Sequence, residues 1–517
     1  MTRPTGDGGL SRRDFLSRTL PAGAVLAAGP GLVPSVARPA RAQTPRDGGP
    51  TVLRVVEKEI AVNGKMSKAF RIEQPDGTWG YTGERGEEFH VVVENHISES
   101  TSLRWHGLRV PNDQDGVPFV TQAPIEPGAT REYRFRLSQA GTYWMRSHSQ
   151  LQIQRLLAAP LVVREPGPPT EPDVVMFLAD WSFRDPKVIW AEMRKELRPD
   201  ASMGRMRMVG GSPPAAAARG VAGRAAAARG KGAPAPARRD VADVDYDAFL
   251  TNGRTLSDPE VVRVQPGSTV RLRAINGAAG TNFFLMLGSL SGQAVAVDAQ
   301  PVVPLQHPEF ELAIGQRIDV RLRIPAGEGV YPIFAQGEGT NRRTGLLLAT
   351  PRATVPTLSE AGPVKIDELG FGQELRLVAA DPLPRRPVDR SLTVDLDGNM
   401  VDYVWRLNGK RWPDTVPLQV KQGERVDIQF RNRSGMDHSM HLHGHVFQVM
   451  ELGGNRVSGP KRDTLLLNAQ QSARIQLDAD NPGVWMLHCH VLYHEGNGMM
   501  TTMTYEGVPV PDFGPRQ

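Results

Sequence analysis

Two segments near the C-terminus concentrate side chains that bind metals. They read His438-Ser-Met-His441-Leu-His443-Gly-His445 and His488-Cys489-His490-Val-Leu-Tyr-His494-Glu-Gly-Asn-Gly-Met499. A thiolate, two imidazoles and a distant thioether form the ligand set of a mononuclear blue-copper centre. Cys489, His438 and His494 would be its equatorial ligands and Met499 the weak axial one. Neighbours on a strand point to opposite faces, so with Cys489 turned to one metal, His488 and His490 turn toward a second centre. Cys489 is also the only cysteine. It therefore forms no intramolecular disulfide, and its histidine neighbours favour ligation over a merely buried thiol.

The chain contains its own comparison for these motifs. Three segments carry an Asn-Gly pair, then a glycine, then a strand ending in asparagine nine residues after that glycine: Asn63-Gly64 with Gly86 and Asn95, Asn252-Gly253 with Gly267 and Asn276, and Asn408-Gly409 with Gly423 and Asn432. His441 and His443 lie 9 and 11 residues after Asn432, and the same count from Asn95 gives Arg104 and His106. His488 and His490 lie 5 and 7 residues after Gly483, and the same count from Gly141 gives Arg146 and His148. The middle copy offers Leu285, Leu287, Phe334 and Gln336, and so carries no metal. Arg104 and Arg146 thus stand in ligand positions, yet a guanidinium stays protonated and has no lone pair to give. His90, His96, His307 and His445 fall outside the pattern.

The elements that position these residues read as short strands. Apolar and polar residues alternate in Phe89–Glu94, Arg131–Leu137, Val261–Ala274, Val426–Arg431 and Arg474–Leu477, between Gly, Pro and Asn turns, which is the pattern of β-sandwiches. The one helical stretch is Pro186–Leu197. With 517 residues, about three domains are expected. Residues 203–239, rich in Ala, Gly, Pro and Arg, cannot build a core and read as a disordered insertion, whose Met203, Met206 and Met208 are candidate thioether ligands for Cu(I).

At the N-terminus, Ser11-Arg12-Arg13-Asp14-Phe15-Leu16, a weakly apolar stretch and Ala40-Arg41-Ala42 read as a twin-arginine signal peptide over residues 1–42. That predicts export, to a periplasm or beyond, through the twin-arginine machinery. The net charge of +5 is uninformative about partners, because residues 1–42 carry +4 and residues 203–239 carry +8, leaving −7 elsewhere. This excludes a basic nucleic-acid-binding face, and no apolar run is long enough for a membrane span.

With these motifs the chain resembles the three-domain multicopper oxidases, most closely their exported copper-resistance branch with laccase-like folds. Pro111-Asn-Asp-Gln-Asp-Gly-Val-Pro118 and Gly141-Thr-Tyr-Trp144 belong to the same likeness, which spans essentially the whole mature chain. The resemblance implies an all-β fold of three consecutive cupredoxin-like Greek-key sandwiches, over residues 43–166, 167–355 and 356–517. It implies copper as cofactor. A type 1 copper takes electrons from a reductant, which would be Cu(I), a phenol or a redox partner, and feeds a three-copper cluster that reduces dioxygen to water. Four H-x-H pairs hold that cluster. Carried over by position, Arg104 replaces a type 2 ligand and leaves His441, while Arg146 replaces a type 3 ligand and leaves His106 and His490. The other type 3 copper keeps His148, His443 and His488. Asp115 and Glu495 match acidic positions that deliver protons to reduced oxygen.

Four readings of the arginines remain open at this level. The cluster is impaired and dioxygen reduction slow or absent; the protein carries copper or electrons in copper tolerance without oxidase turnover; the arginines hold an anionic substrate beside a mononuclear or dinuclear copper; or they swing aside into salt bridges while water completes the copper spheres.

Overall fold

Each Asn-Gly pair closes a tight turn. Asn63 and Gly64, Asn252 and Gly253, and Asn408 and Gly409 all have φ between 50° and 79°, the left-handed backbone that two-residue hairpin turns require and that Asn and Gly adopt most readily. The computed structural model describes residues 49–149, 151–195, 242–511 and 513. The twin-arginine segment and the 203–239 insertion with its three methionines therefore lie outside the described residues.

The strand-ending asparagines explain why counting from them works. The amide of Asn95 donates to the carbonyls of Glu99 and Ile125, that of Asn276 to Thr281 and Leu312, and that of Asn432 to Met436 and Leu467. Each Oδ1 accepts the backbone N–H two residues on. A buried amide must satisfy its polar atoms, and here it does so by tying the strand end to the loop that follows. The spacing to the next strand is thereby fixed in all three copies.

The protein is a row of three cupredoxin-like β-sandwiches. One sheet of each has the same order over its first four strands and the same parallel first pair, and the second and third sandwiches add a fifth strand. It runs Tyr81–Glu84, Ala158–Arg164, Gly141–Arg146, Arg104–His106 in the first sandwich. In the second it runs Val261–Arg263, Arg343–Ala349, Val330–Gly337, Phe283–Met286, Glu309–Leu312. In the third it runs Leu418–Val420, Met500–Tyr505, Val484–Cys489, His438–Leu442, Thr464–Leu467. The other sheets repeat a parallel pairing too: Thr51–Val62 with Glu88–Asn95, Asp173–Trp181 with Thr269–Asn276, and Arg390–Asn399 with Arg425–Asn432. Between the sheets of the first sandwich, Val91 and Val93 from one pack with Trp105 and Met145 from the other. This is ordinary period-two burial.

Register settles which residues correspond. Arg104 is the direct cross-strand partner of Arg146, and His441 is the partner of His488. In the middle sandwich Leu285 pairs with Ala335. The sequence count from Gly329, which pointed to Phe334 and Gln336, is one residue off, and a one-residue slip exchanges the faces of a strand. Two element boundaries also differ from expectation. The stretch Val261–Ala274 is two strands in different sheets, broken where Gly267 turns at φ 72°. The helix spans Pro186–Met193 and ends before Lys195, which has left the helical region at φ 59°, while the expected end at Leu197 lies outside the described residues.

Candidate metal centres

Met440 lies opposite Cys489 and His441 opposite His488 on adjacent strands, so one strand pair presents two faces to two groups of side chains. On the first face, Cys489 Sγ lies 3.6 Å from Nδ1 of His438 and 3.6 Å from Nδ1 of His494, and those nitrogens are 3.1 Å apart. Metal–sulfur and metal–nitrogen bonds near 2.3 and 2.0–2.1 Å, opened by a trigonal or tetrahedral angle, separate S from N by roughly 3.6–3.8 Å. The donor set fits a copper ion. The short helix Leu492–Gly496 carries His494, and Met499, fully buried, follows it. The backbone amide of Met499 donates to the His494 carbonyl, and that of Cys489 to the Met499 carbonyl. The three ligand segments are thus tied together.

The outer groups orient both imidazoles. Ser434 Oγ is 2.7 Å from His438 Nε2, and Asp243 Oδ2 is 3.1 Å from His494 Nε2, which leaves each Nδ1 facing the sulfur. Trp405 lies over His494 with ring centroids 4.0 Å apart. Burial pushes the Cys489 thiol up, so a thiolate there requires a bound cation.

On the other face the two arginines meet two histidines. Arg104 Nη1 is 3.0 Å from His441 Nε2, and Arg146 Nη2 is 3.2 Å from His488 Nε2. Both guanidiniums are wholly buried. The tautomers follow from the remaining bonds. His441 Nδ1 donates to the carbonyl of Asp463 at 2.9 Å, and His488 Nδ1 to that of Cys489 at 2.9 Å. Each Nε2 therefore carries the lone pair, and each arginine donates to it. Both guanidiniums thus lie against the imidazoles of this face.

Like charges directly opposite on paired strands repel, and buried charges need partners. Asp115 lies 3.5 Å from Arg104 and accepts from His443 Nδ1 at 2.8 Å. Glu495 lies 3.7 Å from Arg146, 3.3 Å from His148 Nε2 and 3.3 Å from His488 Nδ1. Burial pulls Arg146 down to about 10 against the opposing charge of Glu495, with Arg104 adding to the fall. The arginines remain cations at neutral pH. Burial holds His106, His148, His443 and His490 well below the imidazole range, hence neutral. Burial raises Asp115. It acts the same way on Glu495, but His488, Arg146 and His148 outweigh it and hold that carboxyl well below the usual range.

Several ring nitrogens in this cup bring lone pairs together, some of them without any hydrogen-bond partner. His443 Nε2 and His488 Nε2 face each other at 3.0 Å, and His148 Nε2 joins them without a partner. Converging lone pairs with no proton between them suit a cation. His490 has neither ring nitrogen partnered, and His106 lacks a partner at Nδ1. These two rings lie 5.1 Å apart.

A third cluster of donor atoms, His106, His441 and Asp463, is less suited to a metal. His441 Nδ1 is spent on the Asp463 carbonyl, and the Asp463 carboxylate is held by Arg317 through bonds of 2.7 and 2.6 Å. Burial acts to raise Asp463, but the Arg317 charge, with bonds from Arg317, His106 and His441, keeps it well below the ordinary aspartate value of 3.8. Its contribution to stability is full above that value and is lost as pH falls through the depressed one. Asp463→Asn removes the two short bonds to the buried Arg317 and leaves Asp298, at 3.4 Å, as its carboxylate partner, so it is expected to cost ~1–3 kcal/mol. An earlier thermal transition at pH 7 checks this, and the deficit should shrink in acid.

The structure brings together His438, Cys489 and His494 on one side, and Arg104, Arg146, His106, His148, His441, His443, His488, His490, Asp115 and Glu495 on the other. The unassigned histidines have ordinary partners: Glu132 for His90, Glu94 for His96, the Glu309 carbonyl for His307, and the His443 carbonyl with Tyr505 for His445. Sequence reasoning missed Asp243, Ser434 and Asp463. Asp243 follows the biased stretch by a few residues and belongs to no motif, and nothing in Lys461-Arg462-Asp463-Thr464 marks its aspartate.

Comparison with known proteins agrees with this architecture. Residues 82–168, 173–354 and 385–507 each match a profile described as Multicopper oxidase. Relatives include Multicopper oxidase MmcO of Mycobacterium tuberculosis, 32% identical over 81% of this chain and 80% of that protein. The copper resistance protein A homolog of Pseudomonas syringae pv. tomato is 27% identical over 88% of this chain and 92% of its own. Among solved structures, Fet3p, a multicopper oxidase that functions in iron import, superposes with a TM-score of 0.70 at 19% identity, covering 88% of this chain and 90% of its own. The laccase from Botrytis aclada gives 0.68 at 23% identity and 89% of each chain. Those two likenesses establish the fold alone. The extent of the profile matches and the identity to MmcO place the chain in the multicopper oxidase family, whose members are copper-dependent oxidoreductases.

Proposed function

We propose that the protein is an exported copper oxidoreductase whose type 1 copper, held by His438, Cys489, His494 and Met499, accepts electrons from a reductant, and whose dioxygen-reducing cluster is impaired by Arg104 and Arg146. The observation that carries this reading is the two-faced strand: Cys489 converges with His438 and His494, while its neighbour His488 meets Arg146. Copper, when bound, supplies one-electron exchange at the first face.

The chain's own residues do the rest. Ser434 and Asp243 fix the two imidazoles, so little rearrangement accompanies ligation. His494 is fully buried beneath Trp405 and Asp243, so the reductant docks over those residues rather than on the imidazole itself. The peptide between Cys489 and His488 is the shortest covalent path between the two faces. Asp115, bonded to His443, and Glu495, beside His148, are placed to pass protons into the cup. Arg104 and Arg146 remove ligands there and add positive charge that opposes Cu(II). The twin-arginine segment assigns the chain to export, with a cofactor acquired before or after translocation.

Spectrophotometry of the copper-loaded chain tests the reading. An intense thiolate–copper absorption is expected, bleached by Cu(I) or a phenol, with recolouring in air slower by more than about a hundredfold than in a relative with all eight histidines. Ordinary laccase turnover would overturn the impairment, and a colourless loaded protein would overturn the type 1 assignment. Bleaching with no return in air would favour electron transfer without oxidase turnover.

A further inference from the structure

The lone pairs in the second cup are unequally distributed. A metal that keeps an open position for chemistry takes three protein ligands. One cluster position, assigned through His441, has a single imidazole left, and Arg104 Nη1 already occupies its Nε2 at 3.0 Å. A second retains the pair His106 and His490, with Arg146 in the place of the third ligand. Among the described residues, only His148, His443 and His488 still offer three nitrogens close to one another. His443 is held by Asp115 through Nδ1, and His488 by the Cys489 carbonyl through Nδ1, so both Nε2 atoms are aimed inward. The Nε2 of His148, which makes no hydrogen bond and lies 3.3 Å from Glu495, completes the set.

The competitor at this position is Arg146, at 3.2 Å from His488 Nε2. That contact is long for a charge-assisted bond, and Glu495 lies 3.7 Å from the same guanidinium. Arg146 thus has a carboxylate to turn to when a metal takes the imidazole. Arg104 has no such freedom to release a usable site, because His441 stands alone.

From this we propose that the chain binds one copper in the second cup instead of three. It is a mononuclear three-imidazole site of His148, His443 and His488; the Arg104 guanidinium holds the lone imidazole of His441, while that of Arg146 turns toward Glu495 and stays beside the site as a cation. The inference rests on the type 1 reading for its reference copper. The folded chain then carries one copper on each side of the Cys489–His488 peptide. The residual site has Arg146 beside it, and a small anion is the class of ligand that this guanidinium would help to hold.

Metal counting on the full-length loaded protein tests this without reference to turnover. The expected result is about two coppers per chain, both paramagnetic, since a mononuclear site has no partner with which to couple. His148→Ala should remove the second copper and its spin while leaving the thiolate absorption. Arg104→His with Arg146→His should raise the count to about four, with the two additional coppers contributing no net paramagnetism because one lies in a coupled pair that also silences an existing spin. A parent with about four coppers would overturn the proposal, as would a parent with a type 1 signal and one copper only. A parent count of two that does not rise in the arginine double variant would overturn the role given to the guanidiniums. Absence of the thiolate absorption, by contrast, would refute the underlying type 1 reading and not the second site, whose spin would remain to be counted. Azide titrated into the parent should perturb only the second paramagnetic signal, and unchanged spectra would overturn the anion-binding part.

Discussion

Arg104→His combined with Arg146→His is expected to raise dioxygen consumption by about a hundredfold or more, with Cu(I) or a phenol as reductant, because even loss of outer partners to a metal ligand costs 10–100-fold. The reasons lie in the register. Arg104 and Arg146 are direct cross-strand partners, as His441 and His488 are, and each guanidinium sits on the imidazole that an intact site would share. Two histidines at these positions would restore nitrogen donors facing the same centre and remove two buried cations. Single reversions should give much less than half the gain, since each leaves one metal position short of a ligand and residues acting on one centre are not additive. Stability complicates the variant. Asp115 and Glu495 lose their guanidinium neighbours, so without copper the double variant should unfold earlier, and copper should restore the difference by mass action. Oxygen-electrode rates at saturating copper are the measurement. Parent rates equal to those of the double variant would show that the arginines do not silence the cluster.

Much of this arrangement is legible in the sequence, for an identifiable reason. Asn95, Asn276 and Asn432 each tie a strand end to the following loop with the same three hydrogen bonds, so distance along the chain from asparagine to site is as constant as distance in space. That is why Arg104 and His441 correspond. The count from glycine failed in the middle sandwich, where Leu285 meets Ala335 rather than Phe334. The outer groups were illegible because they arrive from elsewhere in the fold. Asp243 comes from the second sandwich to His494, and Arg317 comes from the second sandwich to Asp463 beside His441. No local spacing records such contacts. Hydrogen-bond direction was equally hidden: only the carbonyls of Asp463 and Cys489 disclose which nitrogen of His441 and His488 faces the arginines.

Cys489→Ser is expected to abolish the intense visible absorption and to lower oxidation of any reductant by about a hundredfold or more, since removing a metal ligand costs at least what removing its outer partners does. The serine hydroxyl stays protonated at neutral pH and is a hard donor, whereas the thiolate is a soft donor that suits Cu(I) as well as Cu(II). The substitution also removes the sulfur that would join a copper on the first face to the peptide leading to His488. A loss of fold is the alternative cause to exclude, because Cys489 is fully buried and a hydroxyl there without a partner costs ~1–3 kcal/mol. Cys489→Ala separates the two. It introduces no hydroxyl, so its metal-free thermal transition should lie closer to the parent's, yet its absorption and oxidation should be lost as fully as in the serine variant. If His148, His443 and His488 hold a cation on the other face as proposed, the copper-induced rise in melting temperature should shrink in both variants but not vanish. An alanine variant that kept both colour and turnover would place electron entry somewhere other than the sulfur that lies 3.6 Å from His438 and His494.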